Sequence, residues 1–300
     1  MTEFLQQLIN GLSLGAVYAL IALGYTMVYG ILRFINFAHS DVFMVGAFAG
    51  FYLSHYFPHP SFVGGAAVTI LAMLICAALG ITIERLAYRP LRKRKASTLS
   101  VLITAIGMSL FLENAGLLVF GADYKSFPKL FPEQDFAPMG GGVRVTSTRL
   151  LVFCLTAILL LALRFIVMRT RIGTAMRAVS FNPQAASLVG INNDRIISFT
   201  FGLGSALAAA GGILYSLLYP SIDPYMGVLP GLKAFVAAVL GGIGNIPGAA
   251  LGGLLLGLIE TFVNGSKYST YTDAIAFAVL ILILIFRPAG LLGKFQMEKV

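Results

Sequence analysis

The sequence predicts an all-α polytopic membrane protein of about eight transmembrane segments, with broken helices near its centre, and three observations carry that class. Apolar side chains make up 58% of the 300 residues and charged ones only 11%, against about 25% charged in ordinary soluble domains. The apolar residues gather in runs close to the roughly 20 residues that cross a hydrocarbon core. The basic residues behind the net charge of +9 sit mostly between those runs, a pattern of membrane orientation rather than of nucleic-acid binding. A soluble enzyme is excluded, and the bilayer, not nucleic acid, is the expected surrounding. The chain reads as one domain over residues 1–300.

In chain order the runs are residues 5–29, 42–57, 61–83, 98–120, 149–168, 196–219, 231–263 and 272–286. The first follows Glu3 with no Lys or Arg ahead of it, unlike a cleaved signal peptide, and is expected to stay in the mature chain. The second and the last are short for a straight span, and the seventh is too long for one and is interrupted. Loop 84–97 holds Arg85, Arg89, Arg92, Lys93, Arg94 and Lys95, while loop 169–195 adds Arg169, Arg171, Arg177 and Arg195. Both are predicted to be cytoplasmic. Loop 121–148 balances Lys125, Lys129 and Arg144 against Asp123, Glu133 and Asp135, and belongs outside with residues 220–230. One crossing per run puts both termini outside, although Arg287, Lys294 and Lys299 in the tail pull the other way.

The chain has no Trp, so Tyr25, Tyr29, Tyr52, Tyr56, Tyr215, Tyr219, Tyr268 and Tyr271 are expected to form the interfacial belt. The pairs Gly11/Gly15, Gly46/Gly50, Gly248/Gly252 and Gly253/Gly257 have the spacing that lets helices approach closely. Cys76 and Cys154 lie in apolar stretches and imply neither a disulfide nor a metal framework. His55 and His59 have no further ligand near them in sequence, so no metal site is expected.

Two places defeat a simple helix. Residues 30–41 (GILRFINFAHSD) set Arg33, Asn36, His39 and Asp41 between apolar runs. Residues 241–248 (GGIGNIPG) set Gly241, Gly242, Gly244, Asn245 and Pro247 inside another. Non-helical backbone at membrane depth persists only where it is buried or lines a cavity, and interruptions in two halves of a chain point to a transport route. Free amides and carbonyls at such breaks can face a zwitterionic solute. An interfacial loop is the competing reading of each. Asn36, His39, Gly241, Gly242, Gly244, Asn245 and Pro247 are therefore candidates for a translocation pathway. Glu113, followed by Asn114, joins them as a deep carboxylate with no exit to an interface. Glu260 and Arg164 lie near segment ends and can reach the interface.

Within loop 169–195, Asn182 followed by Pro183 reads as an N-cap with proline at N1, and Gly190 as the stop. The helix between them exposes Ala185, Ala186, Leu188 and Val189, and two apolar turns do not stand alone in water. A partner surface is expected.

Residues 184–190 resemble the EAA-x-x-x-G loop of ABC importer permeases, with Gln184 in place of Glu and without the distal Ile-x-Leu-Pro. The wider pattern is more specific: Asn10 to Gly30, the run Ile35-Asn36-Phe37-Ala38-His39, Glu84-Arg85 to Arg92, Gly190-Ile191-Asn192 and residues 233–248 (KAFVAAVLGGIGNIPG). Together they resemble the LivH-type permease subunits of high-affinity branched-chain amino acid ABC importers, over residue 10 to the terminal Glu298-Lys299-Val300. The resemblance implies a multi-pass permease of the bacterial inner membrane, moving leucine, isoleucine or valine by alternating access. It implies a second, LivM-like permease, two ABC ATP-binding subunits and a periplasmic amino-acid-binding protein as partners. Loop 169–195 would be the coupling loop, with Arg177, Asn182, Pro183, Ala185, Ala186, Leu188 and Gly190 as ATPase-coupling residues. No phosphate-binding G-x-x-x-x-G-K-[ST] occurs, so the chain is expected to bind no cofactor, to be no enzyme, and to leave ATP to its partners. A permease for another amino acid, an amide or a sugar, and an ion-coupled secondary transporter, are the competing readings.

Overall fold

The computed structural model describes residues 2–136, 144–287 and 289–293. Lys294 and Lys299, and the terminal residues 298–300 of the resemblance, lie outside the described residues. The protein is a multi-pass helical membrane protein. Two long helices form its centre: α1 (Thr2–Leu32) and, counting in chain order, α9 (Asn193–Leu218). From Gly11 to Val28 nearly every residue of α1 is buried. α9 is buried on most sides because its middle is almost all Gly, Ala and Ser, and helices without large side chains pack backbone to backbone.

Around this centre stand α2 (His39–Ser54), α3 (Phe62–Ile83), α5 (Thr98–Phe120) and α6 (Ser147–Arg169). Between α3 and the short α4 (Arg89–Lys93) runs a π-helical turn, Glu84–Tyr88. Pro90 lies in the first turn of α4, where it has no N–H for the carbonyl four residues back, so the chain widens ahead of it. α7 (Arg171–Phe181) and α8 (Pro183–Leu188) follow α6, and α10 (Val228–Gly241), α11 (Ile246–Asn264) and α12 (Thr272–Phe286) complete the chain. Two short antiparallel pairs close the face opposite the basic loops: β1 (Lys125–Ser126) with β4 (Ser221–Ile222), and β2 (Asp135–Phe136) with β3 (Val145–Thr146). The outward sides of α3, α5, α6 and α12 expose large aliphatic side chains such as Leu74, Leu118, Leu161 and Ile285, as a lipid boundary requires.

The glycine pairs account for the packing. A Cβ on Gly11 would meet Leu258 Cα at 2.9 Å, one on Gly15 would meet Leu254 Cα at 2.7 Å, and one on Gly257 would strike the Gly15 backbone, so α1 and α11 touch along their main chains. Gly46 fits Ala209 of α9 in the same way, and Gly248 and Gly252 fit Gly241 and Ala237 of α10. Tyr25 departs from the interfacial belt: it is buried, its ring edge-on to Phe235 at 6.1 Å.

The run 231–263 is corrected from one interrupted segment to two antiparallel helices. α10 descends to the basic face, residues 242–245 turn there beside Gly30, and α11 returns. α12 descends again, and backbone bonds from Leu291 to Leu240 (2.9 Å) and from Leu292 to Gly241 (3.1 Å) pin the following segment beside that turn. At the other face the α1 start meets the α11 end, with Phe4 and Phe262 rings 5.3 Å apart. The extra passage places Thr2 and Arg287 on opposite faces, which corrects the expectation of both termini outside and agrees with the basic tail.

Candidate functional site

Two of the passages are broken, and the breaks meet inside the protein. After α1 the chain leaves helical geometry at Arg33 and re-enters the core as residues 33–38 before α2 starts at His39. The Ser109 hydroxyl donates to Asp41 Oδ2 at 2.5 Å. Ser109 is the middle residue of α5, so α2 begins at mid-membrane depth. From the other face, residues 219–227 dip inward with Ile222 fully buried and Pro224 Cβ against Gly116 of α5. α10 then starts at Val228. A Cβ on Gly227 would strike the Ser40 carbonyl, and one on Gly231 would strike the Ser40 side chain. The N-termini of α2 and α10 therefore abut at Ser40, running in opposite directions. Neither start has a side-chain cap; the preceding carbonyls of Asn36, Phe37 and Tyr225 take their first amides, and the positive dipole ends of both helices converge on a buried point.

Polar groups extend from this junction across α5. Asp41 is 1% exposed and Ser40 9%. Glu113, half-buried, follows one turn after Ser109 on the same side of α5. His39 is fully buried between α1 and α2, its ring edge-on to Tyr25 at 4.7 Å, with Nε2 lacking a hydrogen-bond partner among the described residues. Asn36 is held by the Tyr88 hydroxyl, which donates to its Oδ1 at 2.6 Å and ties the break to the π-helical turn.

The other pathway candidates stand apart from this junction. Gly241 packs on the Gly248 backbone, and Gly242 (φ 103°) on Gly290 and Gly293. Asn245 caps α11 by accepting from Gly248 N at 3.2 Å and donates to the Leu292 carbonyl at 2.7 Å. Pro247 sits exposed in the first turn of α11. Gly244 (φ 90°) lines a cavity of about 90 Å³ with Gly30, Thr26 and Ser180. This second set forms the turn at the basic face. The residues that sequence reasoning missed are Ser40, Ser109, Gly227 and Gly231. The signal for Gly227 and Gly231 lay in the crowding of Pro220, Pro224, Gly227 and Pro230 within residues 220–230, read as an outer loop, directly before Gly231 opens the next apolar run.

On the basic face, Asn182 accepts from the backbone of Gln184 and Ala185 at 2.9 and 3.0 Å, so α8 begins where its cap and proline predict. Gly190 has φ 85° and ends it. Leu188 and Val189 are 88% and 76% exposed, as is Phe181 at 88%, and Ala185 is open too. Ala186 is corrected: it faces inward, 3% exposed, so the chain itself covers it. The Arg177 guanidinium binds the Val167 carbonyl at the end of α6 and so sets the position of α7.

An ion network anchors this loop. Glu84, fully buried, receives Arg89 at 2.8 Å, Arg92 at 3.0 Å and the Ser198 hydroxyl at 2.7 Å. Arg92 also binds Asp194 at 2.6 Å. The π-helical turn, α4 and the α9 start are thereby one unit. A second network lies in the membrane: Lys233 binds Glu260 and Asp273, each at 2.7 Å, and the Tyr18 hydroxyl donates to Glu260 at 2.8 Å. Glu260 is thus corrected from an interfacial residue to a buried, paired one.

Known proteins resemble the chain along nearly its whole length. The family model described as the permease component of branched-chain amino acid transport systems matches residues 7–284. The high-affinity branched-chain amino acid transport system permease protein BraD of Pseudomonas aeruginosa is 44% identical, over 99% of this chain and 98% of its own. The corresponding LivH of Escherichia coli K12 is 44% identical over the same shares of the two chains. The ribose import permease protein RbsC of Haemophilus influenzae is 32% identical, over 40% of this chain and 39% of its own.

Proposed function

Because this chain belongs to the family of branched-chain amino acid transport permease components, we propose that it is a membrane subunit of an ABC importer that carries leucine, isoleucine and valine across the bacterial inner membrane. The identity to BraD and LivH over 99% of the chain is the observation that carries this reading. The sugar alternative rests on a match to 40% of the chain.

The geometry supports a division of labour. The converging helix starts at Ser40 bring their positive dipole ends toward an α-carboxylate, although the His39, Ser40 and Val228 amides already donate to the Asn36, Phe37 and Tyr225 carbonyls. Asp41 and Glu113, beside them, complement an α-ammonium. A zwitterion crossing at this depth meets both. The exposed apolar end of α8 fits the groove of an ATP-binding subunit, and the ion network at Glu84 passes its movement to α9. A second permease, two ATP-binding subunits and a periplasmic binding protein complete the importer.

The test is reconstitution of the chain with those partners in liposomes and measurement of radiolabelled solute uptake. ATP-dependent accumulation of leucine, isoleucine and valine, with no ribose uptake, is expected. Ribose uptake, or leucine uptake that ignores ATP and follows an ion gradient, would overturn the proposal.

A further inference from the structure

A separate cavity of about 530 Å³ opens on the basic face between the end of α1, α4, the start of α5 and the α7–α8 junction. One side of it is apolar, with Ile31, Phe34 and Val101; the other carries Arg33, Arg92 and Lys95, and no Asp or Glu lines it. Arg33 (φ 55°) and Lys95 (φ 51°) are the two non-glycine residues at positive φ among the described residues. That conformation is unfavourable for long side chains by roughly 1–2 kcal/mol, and both instances fall in one cavity. Neither residue is in an ion pair among the described residues. Arg92 spends Nη2 on Glu84 and Asp194, which leaves Nη1 shielded from solvent without an acceptor. The cavity therefore has cationic donors in excess of the acids that would neutralise them.

Its position selects the anion. Thr98, on the rim, begins α5, whose next turns expose Leu99, Ile103 and Ile106 to lipid at 64%, 61% and 44%. A ligand with an anionic head in the cavity and long apolar chains beyond it would find both complements. We propose that this cavity binds the phosphodiester headgroup of an anionic phospholipid of the adjoining leaflet, its acyl chains lying along α5. Phe181, Asn182 and Pro183 form another wall, so the bound lipid steadies the start of the exposed α8. The assignment does not depend on which solute the protein carries.

The test uses the full chain, extracted with its partner subunits and offered phosphatidylglycerol and phosphatidylcholine in equal amounts, with bound lipid read by native mass spectrometry. The double variant Arg33→Asn with Lys95→Asn removes both charges, and Asn tolerates positive φ; Arg33→Lys with Lys95→Arg keeps the charges. Preferential retention of phosphatidylglycerol is expected, reduced about tenfold or more by the Asn pair and preserved in the charge-keeping pair. Equal retention of the two lipids, or undiminished phosphatidylglycerol in the Asn pair, would overturn it. Displacement of the lipid by millimolar inorganic phosphate would show a site for small phosphate anions instead. Loss of the ATP-binding subunits with lipid retention unchanged would show a docking surface for an acidic protein.

Discussion

Lys233 and Glu260 hold opposite charges 2.7 Å apart in a part of the protein where water is scarce. Glu260 depends on Lys233, since a single buried charge without its partner is destabilising by about 3–5 kcal/mol, whereas Lys233 has a second partner in Asp273, also at 2.7 Å. Lys233→Met should therefore lower the thermal midpoint of the purified protein by several degrees, and Glu260→Gln, which weakens the Tyr18 bond but leaves Lys233 paired with Asp273, should lower it by less. The double variant should lose less than the two singles summed, since neither charge is then stranded. Differential scanning fluorimetry in detergent reads all three, and additive losses would show that the pair is not coupled. Such partners are hard to read in a sequence. Asn182 and Gly190 announce a helix start and stop because capping is local, whereas the Lys233–Glu260 and Ser198–Glu84 bonds join residues 27 and 114 apart. Glu84 opens a basic loop, and only the fold brings Ser198 of α9 to it.

At the scale of elements, α8 shows how much of a helix can be exposed while remaining held. Its cap, its proline and its glycine are satisfied within the chain, and Ala186 seats it, but Leu188 and Val189 point away from every described neighbour. Leu188→Glu should leave insertion and thermal stability of the permease within about 0.5 kcal/mol, as an exposed substitution does, yet abolish co-purification of the ATP-binding subunits and ATP-dependent uptake. Ala186→Glu should act differently, by forcing a carboxylate against the chain's own surface and lowering stability before any partner arrives. Normal ATPase binding by Leu188→Glu would remove α8 from the coupling interface. The sequence made α8 legible since its signals are consecutive. It placed the first helix break at residues 30–41 for the same reason, as polar residues interrupt an apolar run. The second break, at residues 219–227, was hidden because a chain dipping inward from an outer loop has the same Pro- and Gly-rich composition as a loop that stays outside.

For the whole molecule, the number of passages decides which faces the two ends share. The run 231–263 is too long for one helix and, at 14 and 19 residues, α10 and α11 span about 21 and 28 Å. α10 covers its distance only because residues 219–227 have already carried the chain inward. Two passages in place of one reverse everything that follows, so α12 ends on the basic face with the positive charge of Arg287, in accord with the positive-inside pattern. In a background with Cys76 and Cys154 replaced, single cysteines at Ser126 and Ser266 should react with an impermeant thiol reagent in intact cells. Cysteines at Ser97 and Leu292 should react only after the membrane is opened. The decisive comparison is between positions 266 and 292, because eight passages would place position 292 outside with Ser126. Labelling of Leu292→Cys from outside would mean that α10 and α11 do not each cross, and the meeting of two inverted helix starts at Ser40 would lose its structural basis.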